Sequence, residues 1–317
     1  LCNVYHPIPG NLNICTIKME FVVMHISEII LSPLLALIVG VFFLGLSRKI
    51  MARIHWRYGP PITQPVIDII RMFSQKSVSH GHLFNFGIIF SIAGSIAVVL
   101  FIPFGRIHPL SNSGGLLVIL YIMLLAPLGI ALSSGEAANP NSSIGISRKL
   151  LLTLGYEFSL LLILLALMTH YRTISITEIV ALQQKGSWSL FRLPLVLPGI
   201  AYILILPEIL GLQPFQISKA PQEISSGPIV KYGGTYLALA KIEHAFAIVI
   251  GISLFVNLFL GGANNLAFFF LKVLLVFILG IFINAVFPRL RTEQAIKYLF
   301  GIPAFLAFLG LAITVLI

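Results

Sequence analysis

Eight runs of about twenty apolar residues, split by short stretches that hold most of the charge, leave this chain few ways to fold. They fall at 26–47, 85–104, 115–135, 148–169, 192–211, 237–261, 265–287 and 297–317. An α-helix of ~20 apolar residues crosses a ~30 Å hydrocarbon core. No water reaches that core to satisfy unpaired backbone groups, so only helices and closed barrels span it. Barrel strands would alternate polar and apolar residues, and these runs do not. The expected fold is an all-α integral membrane protein with about eight transmembrane helices. Charged residues make up 9% of the chain, against roughly 25% in soluble domains.

Residues 1–23 read as an N-terminal extension and 24–317 as a single transmembrane domain. The extension does not read as a signal peptide, because Lys18 and Glu20 interrupt its short apolar run. Met24 reads as an alternative start. Cys2 and Cys15 are the only cysteines. Two thiols cannot ligate an iron–sulfur cluster, which takes four. A disulfide between them has no other support in the sequence.

The net charge of +10 does not point to nucleic acid. Basic residues concentrate in alternate loops: Arg48, Lys49, Arg53, Arg57, Arg71 and Lys76 in the first, Arg148 and Lys149 at the end of the third, Lys219 and Lys231 in the fifth, Arg289, Arg291 and Lys297 in the seventh. The other loops hold Arg106, Arg172, Lys185 and Arg192. By the positive-inside rule the odd loops are cytoplasmic. The expectation is a multi-pass protein of the cytoplasmic (inner) membrane with both termini outside.

The first loop, RKIMARIHWRYGPPITQPVIDIIRMFSQK, carries six of the twenty basic residues and the only Asp, Asp68. Gly59, Pro60 and Pro61 break any helix there. Pro65 can start a new one, in which Val66, Ile67, Ile69, Ile70, Met72 and Phe73 mix with Asp68, Arg71 and Lys76. The pattern predicts a short amphipathic helix at the membrane interface, beside a basic surface for a partner. A solvated basic loop is the plainer alternative.

Acidic residues inside the apolar runs are the sharpest chemical signal. Glu157 lies nine residues into the fourth run, ~13 Å deep. An ionised side chain there costs at least ~2.5–3.5 kcal/mol, so it must face the bundle interior, find a partner or take a proton. Glu243 lies about two turns into the sixth run, and Glu208 near the end of the fifth, after Pro207. Carboxyls at graded depth suit a proton relay; each could equally be tied to a nearby Lys, Arg or Tyr. Lys272, in the seventh run, is a further candidate for relay or ion pairing. Pro127, Pro194, Pro198 and Pro207 predict kinks within spans. His80 and His82 have no third ligand nearby and read as interfacial polar contacts, not a metal site. No phosphate loop, dinucleotide fingerprint or hydrolase nucleophile motif is present.

Several motifs resemble one family. The first loop, with Arg57-Tyr58-Gly59-Pro60-Pro61, Gln64-Pro65, Asp68 and Lys76, is similar to the signature of the complex I membrane subunit that seats the peripheral arm, NADH dehydrogenase subunit 1. Tyr156-Glu157, Pro214-Phe215 with Glu223, Tyr232 and Gly234 followed by Glu243, and Pro288-Arg289-Leu290-Arg291 with Glu293-Gln294 match further family motifs in order. The resemblance covers about 48–300. It implies eight spans, the same orientation and docking of a peripheral arm on the first loop; Glu157, Glu208, Glu243, Glu223, Asp68 and Lys272 are the candidate relay residues.

The fifth loop departs from the quinone-reducing members. Gln216, Lys219, Pro221 and Lys231 stand where those carry acids, and Glu223 remains. The wording around Gly59-Pro60-Pro61, Ser79-His80-Gly81, Ser226-Gly227-Pro228 and Glu243-His244 looks closer to the energy-converting membrane-bound nickel–iron hydrogenases and archaeal sulfane sulfur reductases. The resemblance thus implies a non-catalytic membrane anchor and coupling subunit of a ferredoxin-linked complex. Iron–sulfur clusters and a nickel–iron centre would lie in partner subunits, and no cofactor in this chain. The implied partners are large and small peripheral subunits, a ferredoxin-type iron–sulfur subunit and antiporter-like membrane subunits moving protons or sodium. A quinone-site subunit of complex I type and a purely structural anchor are the rival expectations.

Overall fold

The computed structural model describes residues 14–107, 109–110, 114–136 and 139–316, with side chains from residue 27. Cys2, the Cys15 side chain and most of the expected 1–23 extension lie outside the described residues. Twelve α-helices and two short 3-10 turns make up the described fold. In chain order they are α1 (Ile14–Ile54), α2 (Gln64–Phe73), α3 (His82–Phe101), α4 (Leu116–Met123), α5 (Leu125–Glu136), α6 (Pro140–Tyr171), α7 (Ile176–Lys185), α8 (Leu193–Ile209), α9 (Pro221–Ile224), α10 (Gly234–Phe259), α11 (Leu266–Val286) and α12 (Thr292–Leu316). Two isolated bridges, Phe104 with Ile107 and Gly115 with Ser175, are the β-type pairings among the described residues.

Seven helical stretches are long and apolar enough to cross a membrane, α4 and α5 counting as one. The fifth expected span is the short one: α8 has 17 residues. Pro194 opens α8, and Pro198 and Pro207 sit inside it. The third expected span breaks at Leu124 between α4 and α5, just before Pro127. Asn139 caps α6 by accepting from the Asn141 amide at 2.9 Å, with Pro140 as the first helical residue, as helix starts favour.

Helix α10 is the hub. From Ile248 to Phe259 every residue is buried, and α1, α2, α3, α8 and α11 pack around it. Helix α12 packs on α6 and α8, and α3 on α5. Lipid tails give helices no hydrophobic reason to associate, so close packing of small residues must do it. Gly40 of α1 sits against the Ala245 carbonyl of α10, and Gly87 and Gly129 bring the α3 and α5 backbones together; a Cβ at any of the three would clash. Ser91 of α3 also donates to the Ala126 carbonyl at 2.9 Å.

The odd-numbered loops meet at one end of the bundle. His80 lies 3.3 Å from the Lys231 carbonyl, the Glu136 carboxylate accepts from the Phe84 amide, and the Leu290 amide donates to Pro214 O at 3.1 Å. The even loops meet at the other end, where Gln183 donates to the carbonyls of Asn257 and Leu258 and Asn257 to that of Pro103.

The expected loop helix is α2. Pro65 and Ile69 are buried, the latter against Val41, Ala238 and Ala245 of α1 and α10. Val66, Ile70 and Phe73 form an apolar outer face, 45%, 65% and 45% exposed. On its polar side Asp68 accepts from Gln64 at 2.8 Å, Arg48 at 3.4 Å and Lys241 at 3.5 Å. The Gln64 hydrogen bond, helped by Lys241 and Arg48, holds Asp68 below the ordinary carboxylate range. A carboxylate with a lowered folded-state pKa stabilises fully above its unfolded value, ~3.9, and loses that contribution as pH falls through the folded value. Hydrogen exchange of 64–73 is therefore expected to accelerate beyond the intrinsic rate change below about pH 3.9. Asp68→Asn should remove that extra dependence. The contribution is modest, under ~1 kcal/mol for exposed pairs.

Candidate functional site

A cavity of about 100 Å³ lies where α3, α5, α6, α8 and α10 converge under the fifth loop. Six ionisable side chains line it: Lys149 and Tyr156 from α6, Glu208 from α8, Lys219 from the fifth loop, and Glu243 and His244 from α10. The positions follow from local structure. Glu208 lies one residue from the end of α8, Glu243 nine residues into α10, and Lys149 nine residues into α6. Lys149 and Tyr156 are seven apart, two helical turns, so both face one way.

Glu208 is 1% exposed. Its Oε1 accepts from Lys149 Nζ at 3.1 Å, and its Oε2 is buried without a partner among the described residues. Burial pushes the Lys219 ammonium below its ordinary value, with Glu243 opposing the push. The cavity thus sets two carboxyls against two ammonium groups, an arrangement within which a proton can pass from one group to another without changing the net charge.

The candidate relay residues separate into distinct places. Glu208 and Glu243 share the cavity. Glu157 lies outside its lining; Tyr156, one residue earlier, faces it instead. Glu157 is buried near the middle of the 32-residue α6, with Oε1 unpartnered among the described residues. Asp68 belongs to the α2 clasp. Glu223 is half exposed and accepts from Arg148 at 2.8 Å, outside the cavity lining. Lys272 sits at the opposite end of the bundle. Its ammonium donates to the carbonyls of Leu260 at 2.7 Å and Gly262 at 2.6 Å and lies 4.8 Å from the Trp188 ring centre. It caps the C-terminus of α10, where a cation suits the helix dipole.

Of the expected docking residues, Arg48, Arg53, Arg57, Arg71 and Lys76 are exposed and Lys49 is half-buried. The Arg53 guanidinium stacks 5.1 Å over the Tyr58 ring, and Trp56 and Tyr58 stand almost wholly free at 97% and 95% exposure.

Two lysines that form ion pairs in the structure do not stand out in the sequence pattern. Lys149 counts there only as a loop charge, although its place seven residues before Tyr156 on one apolar helix signals that both face the same interior. Lys241, two residues before Glu243, carries a fainter signal, an isolated lysine in an apolar run.

The fold and this interior define an all-helical membrane protein with ionisable groups at its centre. The chain belongs to the family described as NADH dehydrogenase, subunit 1 of complex I, which matches residues 27–315. It is 33% identical over 258 residues to hydrogenase-4 component C of Escherichia coli (strain K12), covering 75% of this chain and 80% of that protein. It is 28% identical over 297 residues to a NADH-quinone oxidoreductase subunit of Neisseria meningitidis, covering 83% and 82%. Its fold is similar to a chain of the membrane-bound sulfane sulfur reductase, an archaeal respiratory membrane complex, with a TM-score of 0.89, 38% identity, and coverage of 92% of this chain and 99% of that one. The chain is a membrane subunit of the complex I-related group of oxidoreductase complexes.

Proposed function

We propose that this chain is the membrane anchor and coupling subunit of a ferredoxin-linked complex of the membrane-bound hydrogenase or sulfane sulfur reductase type. The odd-loop end faces the cytoplasm and both termini lie outside. The peripheral arm, carrying the iron–sulfur clusters and the terminal reductase centre, docks on that end. Redox events there bias the charges of the central cavity, and neighbouring antiporter-like subunits answer by moving protons or sodium. Such coupling requires that both sites bias one two-state element.

The cavity carries this reading. Its volume of about 100 Å³ accommodates several waters and falls well below the ~300 Å³ at which small-molecule pockets begin. It suits proton traffic among Glu208, Lys149, Lys219 and Glu243. The replacement of acids by Gln216, Lys219, Pro221 and Lys231 around the fifth loop supports the same choice. The quinone-site reading has in its favour the likeness to the NADH-quinone oxidoreductase subunit of Neisseria meningitidis.

Ferredoxin-driven turnover of the purified complex decides between them. Quinone-site inhibitors are expected to leave the rate unchanged, and solvent extraction to yield less than one quinone per complex. Potent inhibition, or one quinone per complex, would establish the quinone reading instead.

A further inference from the structure

A second pocket, of about 470 Å³, opens between the fifth and seventh loops and the first turns of α6. Three arginines line it, Arg148, Arg289 and Arg291, with one acidic residue, Glu223. Glu223 is already engaged by Arg148 at 2.8 Å. Among the described residues no carboxylate pairs with Arg289 or Arg291, and Arg289 Nε is buried without an acceptor. A buried charged donor left unpaired is costly, and Arg289 and Arg291 line a pocket that admits an acceptor from outside the chain.

The frame is fixed before anything binds. The Leu290 amide donates to Pro214 O at 3.1 Å, tying the seventh loop to the fifth. The Gln213 amide donates to Asn284 Oδ1 at 2.9 Å, tying the fifth loop to α11. The Arg291 amide donates to the Gln294 side chain at 3.2 Å, so the start of α12 is held too. Such preorganisation favours binding by lowering the ordering cost.

We propose that this pocket is a receptor for a carboxylate side chain of a peripheral partner subunit, held by Arg289 and Arg291. The planar guanidinium fork matches a carboxylate through two parallel hydrogen bonds. Apart from Ile217 and Leu290 the lining is polar, so it offers no wall along which the acyl chains of an anionic lipid could lie. The pocket opens on the odd-loop end, which also bears the exposed Arg53, Trp56, Arg57 and Tyr58. The inference rests on the proposed docking of the arm at this end, and adds a second, acid-specific anchor to it.

The test compares two double variants in the full complex on native membranes, washed with increasing salt. Arg289→Gln with Arg291→Gln is expected to release the peripheral subunits at no more than half the salt concentration that releases them from the unaltered complex. The amount of this chain in the membrane should be unchanged. Arg289→Lys with Arg291→Lys, which keeps charge but loses the fork, should release them at an intermediate concentration. A photo-reactive residue in place of Gln222, on the pocket rim, should crosslink to a peripheral subunit. An unchanged release midpoint for the Gln pair, or crosslinks confined to phospholipid, would overturn the inference. The control is Arg53→Glu with Arg57→Glu in the first loop. If it releases the arm while the Gln pair does not, the pocket inference fails and docking on this end stands. If neither releases the arm, the docking reading fails with it.

Discussion

Replacing Lys149 by methionine is expected to destabilise the complex by about 3–5 kcal/mol, the cost typical of breaking a buried ion pair from one side. Glu208 is almost fully enclosed, and the Lys149 ammonium is the partner of its Oε1. Its second oxygen has none among the described residues, so the single substitution strips α8 of its main polar contact at this point. Replacing both partners, Lys149→Met with Glu208→Gln, should recover most of the loss, because a neutral amide tolerates burial better than an unpaired carboxylate. Thermal unfolding of the purified complex measures both. If the double variant is as unstable as the sum of the two single ones, the groups do not interact, and the cavity is not organised around this pair.

Glu157→Gln is expected to abolish ion pumping while leaving assembly and electron transfer measurable. Glu157 lies near mid-helix in α6, buried, with an unpartnered oxygen, and its neighbour Tyr156 faces the charged cavity. The proposed relay role has Glu157 take a proton from the side of that cavity and release it again. The amide preserves shape and most hydrogen bonding but cannot release a proton. Reconstituted vesicles provide the check: ferredoxin-driven turnover persists and the ion gradient does not form. Glu157→Gln vesicles that build a normal gradient would rule out the relay role.

The architecture was legible because it follows from solvent. Runs such as 237–261 and 265–287 cannot be anything but helices in a bilayer, and α10 and α11 occupy nearly those bounds. Helix α2 was legible too, since Gly59-Pro60-Pro61 stops one helix and Pro65 starts the next. The site was legible only in residue type. Glu208 and Glu243 stand out as buried acids, but Lys149, 59 residues from Glu208, and Lys241, 173 from Asp68, form their ion pairs through tertiary contacts that no local pattern encodes. Tyr156 and Glu157 stand ~100° apart on a helix, and hydropathy in a uniformly apolar run does not say which of them faces a cavity. Lys272 shows the same limit: depth in the run was readable, but not that its long side chain reaches back to the carbonyls of Leu260 and Gly262.

Helix α6 has 32 residues, ~48 Å at 1.5 Å per residue, well beyond the ~30 Å of a bilayer core. Two of its consecutive residues serve different chambers: Arg148 lines the arginine pocket and Lys149 the central cavity. A rigid rod cannot displace one without the other. A rigid-body shift of this helix would carry the backbone of Arg148 and of Lys149 together. In mechanical terms the two chambers share one axle, helix α6.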